Sequence, residues 1–275
     1  MITPKITNLG YSNLWTDMST ILGYASNFQK LITKLFANGE QGFFYDPSDM
    51  GTMFQDAAGT IPITAAGQLV GLIRDKSGRN NHAYQTASAS RPLLQRNATT
   101  GAYYLAFDGA DDFLVTNNIN FTATDRVSLF AGVRKLSDAT RALVVELGNN
   151  QPQAFKVFAP DIAGSPTYSA YSGPIGLGSL TQFVAPSSAV LTVKSDILTD
   201  TLKLKVNGYS VISNTDQGTG TYGNYPLYIG RRGGVQTPFN GHLYSLIGIG
   251  RLTTDSETIP LEKAIAKKVG VTLNV

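Results

Sequence analysis

Between residues 14 and 37 apolar side chains recur at alternating spacings of four and three: Leu14, Met18, Ile21, Ala25, Phe28, Ile32 and Leu35. This heptad seam predicts a helix of about 36 Å, stopped at Asn38-Gly39. Past Gly42 the period falls to two. Residues 126–135 place Val127, Leu129, Ala131 and Val133 on one face, the pattern of a core strand. Residues 143–147 and 155–159 read as partner strands joined by a Gly148-Asn149-Asn150 turn, and residues 103–107 and 113–116 flank Asp108-Gly109. Leu202, Leu204 and Val206 alternate with Lys203 and Lys205; Asn207-Gly208 then marks a two-residue hairpin returning through Tyr209 and Val211. Lys203 and Lys205 read as a solvated face that guards a sheet edge. Residues 239–249 are apolar on both faces, with Leu243, Ser245, Ile247 and Ile249 on one side and His242, Tyr244 and Leu246 on the other, as in a covered central strand. The chain closes on a short helix beginning near Thr258. Pro260 falls in its first turn, Leu261, Ala264, Ile265 and Val269 form its buried stripe, and Lys263, Lys267 and Lys268 its wet face. The sum is an all-β antiparallel sandwich with an N-terminal helical segment and a short C-terminal helix.

Composition narrows the class. The 275 residues are 42% hydrophobic and 15% charged, ample for a core and unlike a disordered chain. Net charge is only +3, with no basic element of the kind a nucleic-acid partner needs. With no cysteine, disulfides, thiolate metal sites and a cysteine nucleophile are excluded together. No apolar run approaches the roughly 20 residues of a membrane span, and MITPKITNLG lacks a secretory h-region. If this protein works outside the cell, it leaves by another route, such as lysis.

Four short motifs follow one another in the first half of the sandwich: Tyr45-Asp46-Pro47-Ser48, Phe54-Gln55-Asp56, Asp75-Lys76-Ser77-Gly78 and Asn81-His82-Ala83. Arg91-Pro92 and residues 104–109 continue the series. In this order they resemble the laminin-G-like proteins of bacteriophage virions, members of the concanavalin A-like jelly-roll group. The strand, glycine-arginine loop, long strand and helix of residues 227–270 resemble the end of the same domain. The resemblance implies a laminin-G-like sandwich over residues 42–275; residues 1–41 lie outside it and, from their seam, read as a helical segment for anchoring or oligomerisation. It implies a virion setting, with other virion proteins as partners.

Candidate chemistry is sparse. Asp108, Asp111 and Asp112 in FDGADDFL are either calcium ligands, since related jelly rolls often hold calcium on loop carboxylates, or an ordinary turn; no other cofactor is implied. His82 beside a polar turn reads as bonding that turn's backbone rather than as a catalyst. Tyr222 and Tyr225, in a polar loop over residues 215–226, and Arg231 and Arg232 in the next loop have the chemistry of a shallow sugar site, of a protein contact, or of plain loop packing. The seam of Leu14, Met18, Ile21, Phe28, Ile32 and Leu35 is either an oligomeric stalk or a helix on its own sandwich. Glycoside hydrolysis needs two facing carboxylates; Glu40, Glu146, Glu257 and Glu262 form no such pattern, and no nucleophile elbow or phosphate loop occurs. With the setting that the resemblance implies, the expectation is a non-enzymatic virion structural protein, a capsid decoration, head-fibre or tail-associated component, homo-oligomeric and acting through protein contacts. The alternative is a module that binds a host surface glycan.

Overall fold

The computed structural model describes residues 28–149, 151–179 and 181–274. After a helix α1 over residues 28–35 come seventeen strands: β1 (Gly42–Tyr45), β2 (Met53–Phe54), β3 (Leu72–Ile73), β4 (Ala83–Tyr84), β5 (Leu93–Arg96), β6 (Tyr103–Asp108), β7 (Leu114–Phe121), β8 (Arg126–Lys135), β9 (Leu143–Leu147), β10 (Phe155–Phe158), β11 (Ser169–Ser172), β12 (Ile175–Gly178), β13 (Ser187–Asp196), β14 (Thr201–Val206), β15 (Tyr209–Ser213), β16 (Gly223–Ile229) and β17 (Asn240–Ile249). Helix α2 (Asp255–Val269) follows. The strands form two sheets, both antiparallel. Sheet A runs β15-β14-β13-β8-β17-β6-β5, with β1 also on β17; sheet B runs β12-β11-β10-β9-β16-β7-β4-β3-β2.

The alternation of β8 places Val127, Leu129, Ala131 and Val133 in the core between the sheets, together with Val145, Val157, Leu204 and Leu227. A second core lies outside sheet A, where Ile32, Leu35 and Phe36 meet Phe130, Tyr244, Ile247, Leu261 and Ile265. Gly132 lets α2 approach: a Cβ there would stand 2.6 Å from Ile265 Cγ2 and 2.8 Å from Val269 Cγ2.

Three expectations meet the structure here. First, of the two readings of the seam, its described part takes the helix on its own sandwich: Ile32 and Leu35 are fully buried, and Phe28 packs edge-on to Phe44. That part of the seam is spent within this chain, so residues 28–36 belong to the same body as the sandwich; Leu14, Met18 and Ile21 lie outside the described residues. Second, β17 is central as its two apolar faces require, but a register shift between Leu243 and Ser245 reverses its alternation. Leu243 and Leu246 face the inner core, while Tyr244, Ile247 and Ile249 face the helices. Third, α2 begins at Asp255 rather than near Thr258 and carries Pro260 inside. Glu257 anchors the earlier start: its carboxylate accepts the Thr254 N–H at 2.9 Å and pairs with Arg251 at 2.8 Å. That pair holds the Glu257 carboxyl down at about 2. Lys268, placed on the wet face, instead reaches Asp46.

The motif residues of the first half turn out to be fasteners. The Asp75 carboxylate accepts N–H bonds from Phe44 at 2.8 Å, Ser77 at 2.8 Å and Asn81 at 3.0 Å, tying β1 to the turn. His82 Nδ1 accepts the Asp75 N–H at 3.0 Å, the backbone role expected of it. Tyr45 donates its hydroxyl to the Asn81 carbonyl.

Candidate functional site

In sheet B the side chains that point away from the core are mostly polar, because period-two alternation gives every second residue to solvent. Four neighbours form a row across four strands. Lys156 on β10 lies opposite Tyr171 on β11 and Glu146 on β9, and Glu146 lies opposite Tyr228 on β16. Arg232, from the loop after β16, brings Nε to 3.3 Å from Glu146 Oε2, while Lys156 Nζ stands 3.8 Å from Oε1. Glu146 is fully buried beneath these two long side chains, which keep only 11% and 14% of their own surface exposed. Burial lowers the Lys156 pKa, the attraction of Glu146 opposes that, and Arg232 and Arg141 reinforce the fall.

A second cluster adjoins the row. Arg141 pairs with Asp161 at 2.6 Å and lies 4.2 Å over the Phe158 ring. Tyr171 donates to the other Asp161 oxygen, and its ring meets Phe158 edge-on. The same ring rests on Gly176, where a Cβ would stand 2.3 Å from ring carbon Cε1. Burial and Asp161 push the Tyr171 hydroxyl to about 12. Beyond Lys156 the face drops into a cleft of about 310 Å³ lined by Gln151, Pro152, Gln153, Gly173, Pro174, Gln217 and Gly218. Rings, amides, guanidinium groups and one partly desolvated ammonium thus share one surface. Such groups stack on apolar faces and bond hydroxyls in directed pairs.

The four residues expected at the contact surface do not assemble. Tyr222 is fully buried, with its hydroxyl 3.0 Å from Ser172 Oγ and its ring edge-on to Phe155. It is a core residue, since residues 223–226 extend β16 rather than a loop. Tyr225, on that strand, leans over Gly223 and Gly148 and packs partly on the core. Adjacent arginines diverge: Arg232 joins Glu146, whereas Arg231 reaches the carbonyls of Asp111 and Val235, each at 3.4 Å. Only Arg232 belongs to the row.

Asp108, Asp111 and Asp112 do converge, with carboxylate oxygens within 4.8 Å of one another. Oxygen donors suit a hard cation in kind. Each also serves its turn: Asp108 Oδ1 accepts the Ala110 N–H at 2.7 Å, Asp111 accepts the Ser90 hydroxyl at 2.6 Å, and Asp112 Oδ2 accepts the Asp108 N–H at 3.0 Å. Burial, then the charges of Asp108 and Asp111, lift the Asp112 carboxyl to about 6. On sheet A, His242 stacks on Tyr104 with ring centres 4.1 Å apart, and burial beside Arg134 drops it to about 4.

Sequence reasoning passed over Lys156, Tyr171, Arg141 and Asp161. One signal was present: Glu146 interrupts the otherwise apolar LVVEL, a charge inside a buried strand that needs partners.

No protein-family model and no curated protein matches the sequence. Solved structures do share its fold. Trypanosoma rangeli sialidase, bound to the inhibitor DANA, is 13% identical with a TM-score of 0.51 over 89% of this chain and 38% of its own. The ligand-binding domain of botulinum neurotoxin serotype D, in complex with N-acetylneuraminic acid, is also 13% identical, with a TM-score of 0.51 over 70% of this chain and 48% of its own. The binding domain of botulinum neurotoxin DC, in complex with rat synaptotagmin II, is 12% identical, with a TM-score of 0.51 over 70% of this chain and 49% of its own. The chain spans about half, or less, of each of these structures. At such identities the likeness establishes the fold alone: an antiparallel β-sandwich of the jelly-roll kind.

Proposed function

We propose that this protein is a non-catalytic carbohydrate-recognition module that holds a saccharide against the outer face of sheet B. The observation that carries the reading is the row Tyr171–Lys156–Glu146–Tyr228, braced by Arg232 and opening into an amide-lined cleft. Glu146 holds the Lys156 and Arg232 side chains in place beside it, so they need not be ordered on binding. Gln151 and Gln153 line the cleft, their amide nitrogens donating to the Asn149 and Thr219 carbonyls, each at 3.3 Å. Nothing in this arrangement requires bond making or breaking.

The motifs that resemble phage laminin-G-like proteins supply a setting: a virion component whose sandwich meets the host surface. The competing reading, a building block held by its N-terminal seam, loses Phe28, Ile32 and Leu35 to the second core. Recognition is therefore the reading we favour over assembly. A glycan array probed with the full chain tests it. Binding to a defined set of glycans, weakened about tenfold or ~1.4 kcal/mol by Lys156→Met with an unchanged melting temperature, is expected. A chain that binds no glycan, or binds equally well as Lys156→Met, Tyr171→Ala and Arg232→Ala, overturns it.

A further inference from the structure

Two sheets have four lateral edges, and this chain treats them unequally. The outer side of β5 is covered by residues 67–70: Leu94 donates to the Gln68 carbonyl at 2.9 Å and accepts from Gly67 at 2.7 Å. The outer side of β2 is covered in the same way, with Gln55 donating to Ile61 at 2.7 Å and Ile63 to Met53 at 3.0 Å. On the opposite flank β15 and β12 end their sheets, and among the described residues no strand or bridge continues either ladder. The two open edges lie side by side, since β12 packs against β14 and β15.

Open edges are normally blunted by charge, proline or a bulge. Here residues 209–215 read YSVISNT and residues 173–179 read GPIGLGS, without a charged side chain between them. Lys203 and Lys205, expected to guard an edge, lie one strand inside it, on β14 between β13 and β15. The edge strand instead exposes Tyr209 at 51% and Ile212 at 56%.

We infer that β15 is the interface through which two copies of this chain pair, edge to edge and antiparallel, joining their A sheets into one. A second copy fits because an isologous contact sets each residue of the strand against the same strand. A charged edge would repel itself there; an uncharged one does not, and only another strand supplies its row of backbone donors and acceptors. The twofold axis of such a pair stands perpendicular to the sheets, so both B faces point the same way. Where the saccharide reading holds, the dimer presents two sites to one surface and gains avidity without a new contact.

Sedimentation of the full chain at tens of micromolar, joined to hydrogen exchange across a dilution series, tests the pairing. The expected result is a dimer whose β15 amides lose protection on dilution. Ile212→Lys is expected to weaken the dimer about tenfold or more, while Ile61→Lys, equally exposed on the covered flank, leaves it intact. Both positions are at the surface, so neither change disturbs a core. A monomer throughout overturns the inference. So does a dimer insensitive to Ile212→Lys, or a monomer with protected β15 amides, which would assign the edge to the chain's own first 27 residues. Glycan binding by a monomer would leave the saccharide reading standing and remove this one.

Discussion

At Asp112, burial and two neighbouring carboxylates act in one direction, so the folded chain prefers the protonated acid up to about pH 6, above its ordinary value of 3.8. The stabilisation belonging to the protonated form is complete below pH 3.8 and is lost as pH rises through 6. Asp112→Asn keeps an oxygen for the Asp108 N–H and removes the charge. It is expected to raise stability at pH 8 by about 1–3 kcal/mol, the scale of a two-unit shift. Little change is expected at pH 3.5, and urea unfolding at the two values checks it. Millimolar calcium distinguishes the readings of the cluster: a turn leaves the Asp112 midpoint unmoved by NMR titration, and a cation site drives it down. The cluster was legible in FDGADDFL because its members are local in sequence. Glu146, Lys156 and Tyr171 come together only through strand pairing, which no local pattern encodes. Tyr222 shows the same limit, since a tyrosine between glycines reads as loop until the strand beyond it is known to continue.

Elements were easier to read than their edges. The Asn207-Gly208 hairpin was plain because φ values of 49° and 94° suit that pair and few others. The core face of β8 was plain because four apolar residues alternate without a break. β17 was only half legible: its centrality follows from two apolar faces, but the reversal after Leu243 is a register shift that alternation cannot foresee. Pro226, the last residue of the expected loop, lies inside β16. Proline argues against an inner strand, yet β16 takes it where its pairing with β7 is irregular, between Pro226 and Tyr228. Helix α2 depends on Gly132 lying beneath it. Gly132→Ala inserts a methyl where Ile265 and Val269 already sit, and a loss of about 1–3 kcal/mol is expected, read as a Tm drop of about 2–4 °C per kcal/mol. An unchanged Tm would mean that the helix stands off the sheet. Glu262 fastens the same helix, accepting from Thr192 and Lys205, both at 2.8 Å, with almost no exposure. Removing the carboxylate strands a buried lysine contact. Glu262→Ala is therefore expected to cost more than alanine at exposed Lys263, which thermal melts compare directly.

On the scale of the whole molecule, the sandwich separates its duties by surface. The outer face of sheet A is largely occupied by α1 and α2, and the inner faces make the main core. Among the described residues two edges are closed and two are open. The outer face of sheet B is left as the broad surface where opposite charges and aromatic rings are concentrated and partly exposed. That division explains why the fold was readable and the ligand surface was not: burial imposes a period on the sequence, whereas a binding face needs only the residues that burial leaves free. It also directs the decisive measurement. Backbone chemical shifts of the isotope-labelled full chain, recorded while a glycan selected on the array is titrated in, locate the contact without any substitution. The account predicts saturable shifts concentrated at Glu146, Lys156, Tyr171, Tyr228 and Arg232; shifts confined to Tyr104 and His242 on sheet A, or to the Asp108 turn, would contradict it.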